Sequence, residues 1–120
     1  MINIMIYMKN DLKSIADELG FKYLSGKNLL NREVTGAYVS DLLSDVVGKA
    51  AEGMVWITSQ VHINIVAVAF MKDLSAIIVI DKREVEATVL EKAQEEGVVI
   101  LSSIMSAFET AGKLYRLLNR

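Results

Sequence analysis

The chain has 120 residues, 52% of them hydrophobic and 23% charged, with 13 Lys plus Arg against 15 Asp plus Glu. That is the length of one domain, too apolar to stay disordered, and its net charge of −2 gives no basic field for a nucleic-acid backbone. Zero Cys excludes disulfides, thiol catalysis and thiolate metal sites and suits a reducing cytoplasm, while a single His excludes a multi-histidine metal centre.

Residues 1–7 are mostly apolar but lack the basic start and small-residue cleavage site of a signal peptide. The longest other apolar run, 63–71, is well short of the roughly 18 residues a membrane span needs, so no membrane partner is expected. Leu12, Ile15, Ala16 and Leu19 fall at i, i+3, i+4 and i+7 between Asn10 or Asp11 and Gly20, the signature of a capped amphipathic helix. Residues 21–24 and 34–39 read as strands on either side of the turn at 25–28. Ser40 is expected to cap a second helix, with Asp41 in its first turn and an apolar stripe of Leu42, Leu43, Val46, Val47 and Ala50. A strand is expected at 54–57.

The segment 63–70 is apolar at nearly every position, so periodicity cannot decide its state. Topology decides it. Residues 75–80 form a fully apolar strand, and two buried parallel strands need a crossover of about a dozen residues, which predicts a helix over 61–72. Asp81 with Glu84 resembles a capping box for a helix carrying Val85, Val89, Leu90 and Ala93 that Gly97 closes. A last strand at 98–101 precedes a helix opened by a Ser106 and Glu109 capping box, with Phe108, Ala111, Tyr115 and Leu118 expected to face inward. The order α-β-β-α-β-α-β-α-β-α predicts a single-domain α/β sandwich, a mostly parallel sheet covered by helices.

Ligands of open parallel sheets usually lie beyond the carboxyl ends of the strands. Those ends supply Ser40, Asp41, residues 58–64, residues 81–83, Ser102 and Ser103. The densest polar stretch is Thr58-Ser59-Gln60-Val61-His62-Ile63-Asn64, where a strand hands over to a helix whose free amides suit an anion or a carbonyl. The bland alternative is that these side chains only cap the helix. Gly36 inside a strand weakens it unless a backbone or ligand approaches or the chain bulges, which makes Arg32, Thr35 and Gly36 a second candidate contact surface. Asp41 and Asp45, spaced i, i+4, are more readily a solvated face than a metal site. No GxxxxGK[ST] or GxGxxG sequence is present, and no Gly-x-Ser-x-Gly elbow accompanies His62, so catalysis has few parts to work with.

Three blocks carry a family pattern: Asn31-Arg32-Glu33-Val34-Thr35-Gly36-Ala37-Tyr38-Val39-Ser40-Asp41-Leu42-Leu43-Ser44, Val55-Trp56-Ile57-Thr58-Ser59-Gln60-Val61-His62-Ile63-Asn64-Ile65-Val66-Ala67-Val68-Ala69, and Ser106-Ala107-Phe108-Glu109-Thr110-Ala111-Gly112-Lys113-Leu114-Tyr115. In this order they resemble the DRTGG domain family over about residues 8 to 118. Asn31 stands where the family's Asp is expected, and Ala37 replaces its second Gly. The resemblance implies a fold similar to the N-terminal domain of HPr kinase/phosphorylase. It also implies a regulatory module of the kind found in CBS-containing pyrophosphatases and in phosphate acetyltransferases, often dimeric, without the kinase's catalytic P-loop. Because such domains begin near Met8, residues 1–7 are either an upstream extension or an added edge strand, and residues 8–120 are the domain.

The expectation is therefore a cytoplasmic, non-catalytic homodimer without a cofactor that senses a small polar, nucleotide-like ligand or engages a partner protein. The candidate ligand residues are Arg32, Thr35, Gly36, Ser40, Asp41, Thr58, Gln60, His62, Asn64 and Ser102. Two alternatives stand beside it: an enzyme on a phosphorylated or acyl substrate with His62 as acid/base, and a pure interaction scaffold.

Overall fold

The computed structural model describes residues 10–120. The expectations for residues 1–7 lie outside the described residues. Helix α1 (Leu12–Leu19) starts where Asp11 accepts the Ser14 amide at 2.7 Å and ends at Gly20, whose φ of 75° gives the left-handed cap. Strand β1 (Lys22–Ser25), a 3₁₀ turn (Lys27–Leu29) and strand β2 (Gly36–Val39) follow. Three crossovers then alternate helix and strand: α2 (Leu43–Lys49), β3 (Met54–Thr58), α3 (Asn64–Met71), β4 (Ala76–Val79), α4 (Ala87–Glu96) and β5 (Ile100–Ser102). Helix α5 (Ala107–Leu118) closes the chain.

Among the described residues the strands form one five-stranded sheet in the order β1-β5-β4-β3-β2. Strands β2 to β5 run parallel, and β1 pairs antiparallel with β5. All four β4 residues are fully buried, as a strand covered on both faces requires. One face packs Val55, Ile57, Ile78 and Leu101 against α1 and α5. The other packs Trp56, Ile77, Val79 and Ile100 against α2, α3 and α4. The ambiguous apolar run is the helix that topology required, with Ile65, Val66, Val68 and Ala69 buried and Phe70 and Met71 exposed at its end.

Three local expectations are corrected. Helix α2 begins at Leu43 rather than beside Ser40, because the Asp41 carboxylate takes its donors from the loop after β3 instead of from the helix. Asp41 and Asp45 therefore do not share a helix face. Asp81 does not cap α4, which starts six residues later with Glu86 at its N-cap. Asp81 and Lys82 instead adopt positive φ values of 57° and 53° while their amides bond the carbonyls of Met105 and Ser103. The loop after β4 is thereby tied to the loop after β5 before any helix can begin.

Helix α5 starts at its expected cap, where Ser106 accepts the Glu109 amide at 3.2 Å, but only half of its expected face is inward, Ala111 and Leu118 being half-buried against the core. Thr110, Leu114 and Leu117 are buried, and Phe108 and Tyr115 are 87% and 71% exposed. Burial of Thr110 costs little, since its hydroxyl pairs with Ser103 Oγ at 2.9 Å.

Candidate functional site

Successive parallel strands from β2 to β5 step one place each in a single direction, with all three crossover helices on one face. No reversal of strand order opens a crevice between β2 and β5. The carboxyl ends of the strands are organised by side chains instead, and Asp41 is the hub. Its Oδ1 accepts the Thr58 hydroxyl at 2.8 Å and the Ser59 amide at 2.7 Å, and its Oδ2 accepts the Ser59 hydroxyl at 2.8 Å. Gln60 Nε2 donates to the Asp41 carbonyl at 3.0 Å, and its amide donates to Thr58 Oγ1 at 3.1 Å. Trp56 Nε1 donates to the Ser40 carbonyl at 2.7 Å, which joins β3 to the end of β2.

Foremost the Ser59 amide, then the hydroxyls of Ser59 and Thr58 and the charge of Arg83, hold the Asp41 carboxyl below the usual carboxylate range. Partial desolvation pushes it the other way and does not win. Arg83 closes the network by donating to the Ser59 carbonyl. Next to this hub, Tyr38 donates its hydroxyl to Asp45 at 2.7 Å, which lowers the Asp45 carboxyl and raises the Tyr38 phenol.

His62 and Asn64 sit on the exposed turn that opens α3. The Asn64 amide donates to His62 Nδ1 at 3.2 Å, so a neutral His62 carries its proton on Nε2 and offers a donor there. Among the described residues His62 forms no ion pair, and no carboxylate orients it as a general base requires. Ser102 ends β5 half-buried, opposite Lys22 of β1.

Arg32, Thr35 and Gly36 lie at the opposite end of the sheet. Arg32 donates to the Leu74 carbonyl at 3.2 Å and to Asp73 Oδ1 at 2.9 Å, clamping the approach to β2 onto the turn between α3 and β4. The Thr35 amide bonds the Gly53 carbonyl at 3.0 Å, and its hydroxyl bonds the Glu52 carbonyl at 3.1 Å. Ser75 Oγ lies 2.7 and 2.9 Å from the carbonyls of Glu33 and Gly53, completing a belt across the amino ends of β2, β3 and β4. No backbone crowds Gly36, where an added Cβ would meet only the Met54 side chain at 3.7 Å.

Nine of the ten candidate residues thus fall into two groups, and Ser102 stands apart at the end of β5. Ser40, Asp41, Thr58, Gln60, His62 and Asn64 gather at the carboxyl ends of β2 and β3. The other end holds Arg32, Thr35 and Gly36, which line hollows of about 360 and 450 Å³. Neither hollow reaches the Asp41 network. Ser59 and Arg83 lie on the polar edge that the sequence points to but are not among the ten candidate ligand residues. Two residues after β4, Asp81 and Lys82, take left-handed φ values just before Arg83, which donates to the Ser59 carbonyl.

No family model matches the chain, and no curated protein matches it. Among solved structures it is similar to the CBS and DRTGG domains of the regulatory region of Clostridium perfringens pyrophosphatase, complexed with the activator diadenosine tetraphosphate. The TM-score is 0.70 at 16% identity. This likeness supports a DRTGG-like fold. It extends over 92% of this chain but only 46% of the other, so the chain spans less than half of that regulatory region. Among the described residues no helix is long and apolar enough to cross a membrane.

Proposed function

We propose that this DRTGG-like domain is a non-catalytic regulatory module of the cytoplasm that senses a small polar, nucleotide-like ligand and works as a homodimer. The observation that carries the reading is the division of labour at the carboxyl ends of β2 and β3. Asp41, Thr58 and Ser59 satisfy one another and fix the loop, Arg83 donates to the Ser59 carbonyl, and His62 and Asn64 extend from that fixed loop into solvent. A recognition surface needs such a rigid shell beneath its contacting groups. Gln60, His62 and Asn64 supply neutral donors and acceptors, and Arg83 supplies a cation for an anionic ligand. Arg32, Thr35 and Gly36 form a second, separate contact surface.

The neighbouring regulatory region, crystallised with a dinucleoside polyphosphate activator, makes nucleotides the first class to test. A competing reading is a pure interaction scaffold, and the observation that favours it is the mutual satisfaction of Asp41, Thr58 and Ser59. Thermal-shift measurements with diadenosine tetraphosphate, ATP and acyl phosphates separate the two. Stabilisation of the wild type that is lost in Gln60→Ala and His62→Ala supports sensing. No stabilisation by any of these compounds, or equal stabilisation of the variants, removes the rim as a ligand site and leaves the scaffold.

A further inference from the structure

One flank of α5 meets the end of α1 across a hollow of about 630 Å³. Of its apolar lining, Leu117 is buried, Leu19 half-buried and Phe108 87% exposed. From Phe108 to Arg120 the hollow follows α5 for about 18 Å, a little over three turns of helix. Phe108, Gly112 and Arg116 are spaced four apart and share one stripe of that helix. At Gly112 an added Cβ would meet nothing within 4 Å, so the wall of the groove is bare backbone there. A glycine inside an exposed helix costs stability relative to alanine, and what it provides is room for an outside group to approach closely.

The two carboxylates of the groove are engaged. Arg120 donates to both oxygens of Glu18, at 2.9 and 3.2 Å, and the Ser106 hydroxyl lies 3.5 Å from Glu109 Oε1. Lys113 and Arg116, exposed and three residues apart on α5, form no ion pair among the described residues. Residues 1–9 contain no Asp or Glu and so cannot supply a carboxylate. We infer that this groove docks an acidic amphipathic helix of a partner protein, its apolar face against Phe108, Gly112 and Leu19 and its carboxylates on Lys113 and Arg116. Charge selects the occupant. A second copy meeting the groove with its own groove would set Lys113 and Arg116 against themselves, whereas carboxylates spaced three or four apart on a helix match two cations spaced the same way. Length selects a helix, since three turns laid along α5 span the hollow from end to end. The inference stands apart from the reading of the rim, because no residue of the hollow belongs to the Asp41 network.

Fluorescence anisotropy of a labelled synthetic helix of about three turns, with Leu at i, i+3, i+4 and i+7 and Glu on the flanks, tests this on the full chain. A second peptide carries Lys in place of every Glu. The variants are Gly112→Leu, which closes the gap, Lys113→Glu, which reverses one cation, and Lys92→Glu, which makes the same charge change on α4 across the sheet. All three positions are exposed, and Gly112→Leu should melt no lower than the wild type because leucine is the better helix former. The expected result is saturable, salt-sensitive binding of the Glu peptide alone, weakened about tenfold or more by Gly112→Leu and Lys113→Glu and unchanged by Lys92→Glu. Absence of binding, equal binding of the Lys peptide, or equal weakening by Lys92→Glu overturns the proposal. Displacement of the peptide by inorganic phosphate at constant ionic strength assigns the cations to a free anion, and wild-type self-association that Lys113→Glu abolishes in sedimentation assigns the groove to a second copy. Either result also overturns it.

Discussion

Asp41 shows how one side chain shapes the end of a sheet. Its three accepted hydrogen bonds hold the loop after β3 against the loop after β2, and its lowered carboxyl fixes the sign of the pH dependence. A group whose folded value lies below its unfolded one contributes stability that is present above about pH 4 and is lost as pH falls through the folded value. Asp41→Asn should cost about 1 kcal/mol at neutral pH, a modest figure because the residue is exposed and screened. Melting between pH 3 and pH 7 checks both parts: the wild type should lose more of its melting temperature on acidification than Asp41→Asn does.

At Gly53, φ is +83°, and an added Cβ would stand 2.8 Å from Thr35 Cγ2, whereas at Gly20, also left-handed, nothing lies within 4 Å. Gly53→Ala should therefore cost more than Gly20→Ala, about 2–3 kcal/mol against about 1 kcal/mol, by urea denaturation. The same contacts give Thr35 and Arg32 structural work at the amino ends of the strands. The sequence pattern that singled these residues out could not reveal this, because their partners at Glu52, Gly53, Asp73 and Leu74 are far away along the chain.

Among the elements, those with two independent local signals were legible. Helix α1 had both a stripe and caps, and α5 had a cap whose hydroxyl does accept the expected amide. Ser106→Ala should cost about 1 kcal/mol, read as a fall in melting temperature, since it strips the acceptor from the Glu109 amide. The capping motif at Asp81 and Glu84 failed because tertiary bonds to Ser103 and Met105 claimed the same backbone amides. The inward face of α5 differs in part, with Phe108 and Tyr115 exposed, for a related reason. Thr110 counts as polar by residue type and becomes core only when Ser103 pairs with it, and that pairing depends on where β5 ends. Helix α3 shows the converse, as its state followed from the connection its flanking parallel strands require.

At the scale of the whole molecule, the sandwich follows from alternation: helix and strand in turn, with one antiparallel strand, β1, added outside β5. The division of the candidate residues between two ends of the sheet was not legible, because it depends on which end of β2 each residue enters. Arg32 and Thr35 precede the strand and Ser40 follows it, so about 13 Å of extended chain separates them.

Amide chemical-shift mapping during titration with diadenosine tetraphosphate tests this arrangement most directly. The largest changes should fall on Ser59, His62, Asn64 and Arg83, with the Arg32 end of the sheet unmoved. Changes confined to Arg32, Thr35 and Gly36, or none at saturating ligand, would contradict it.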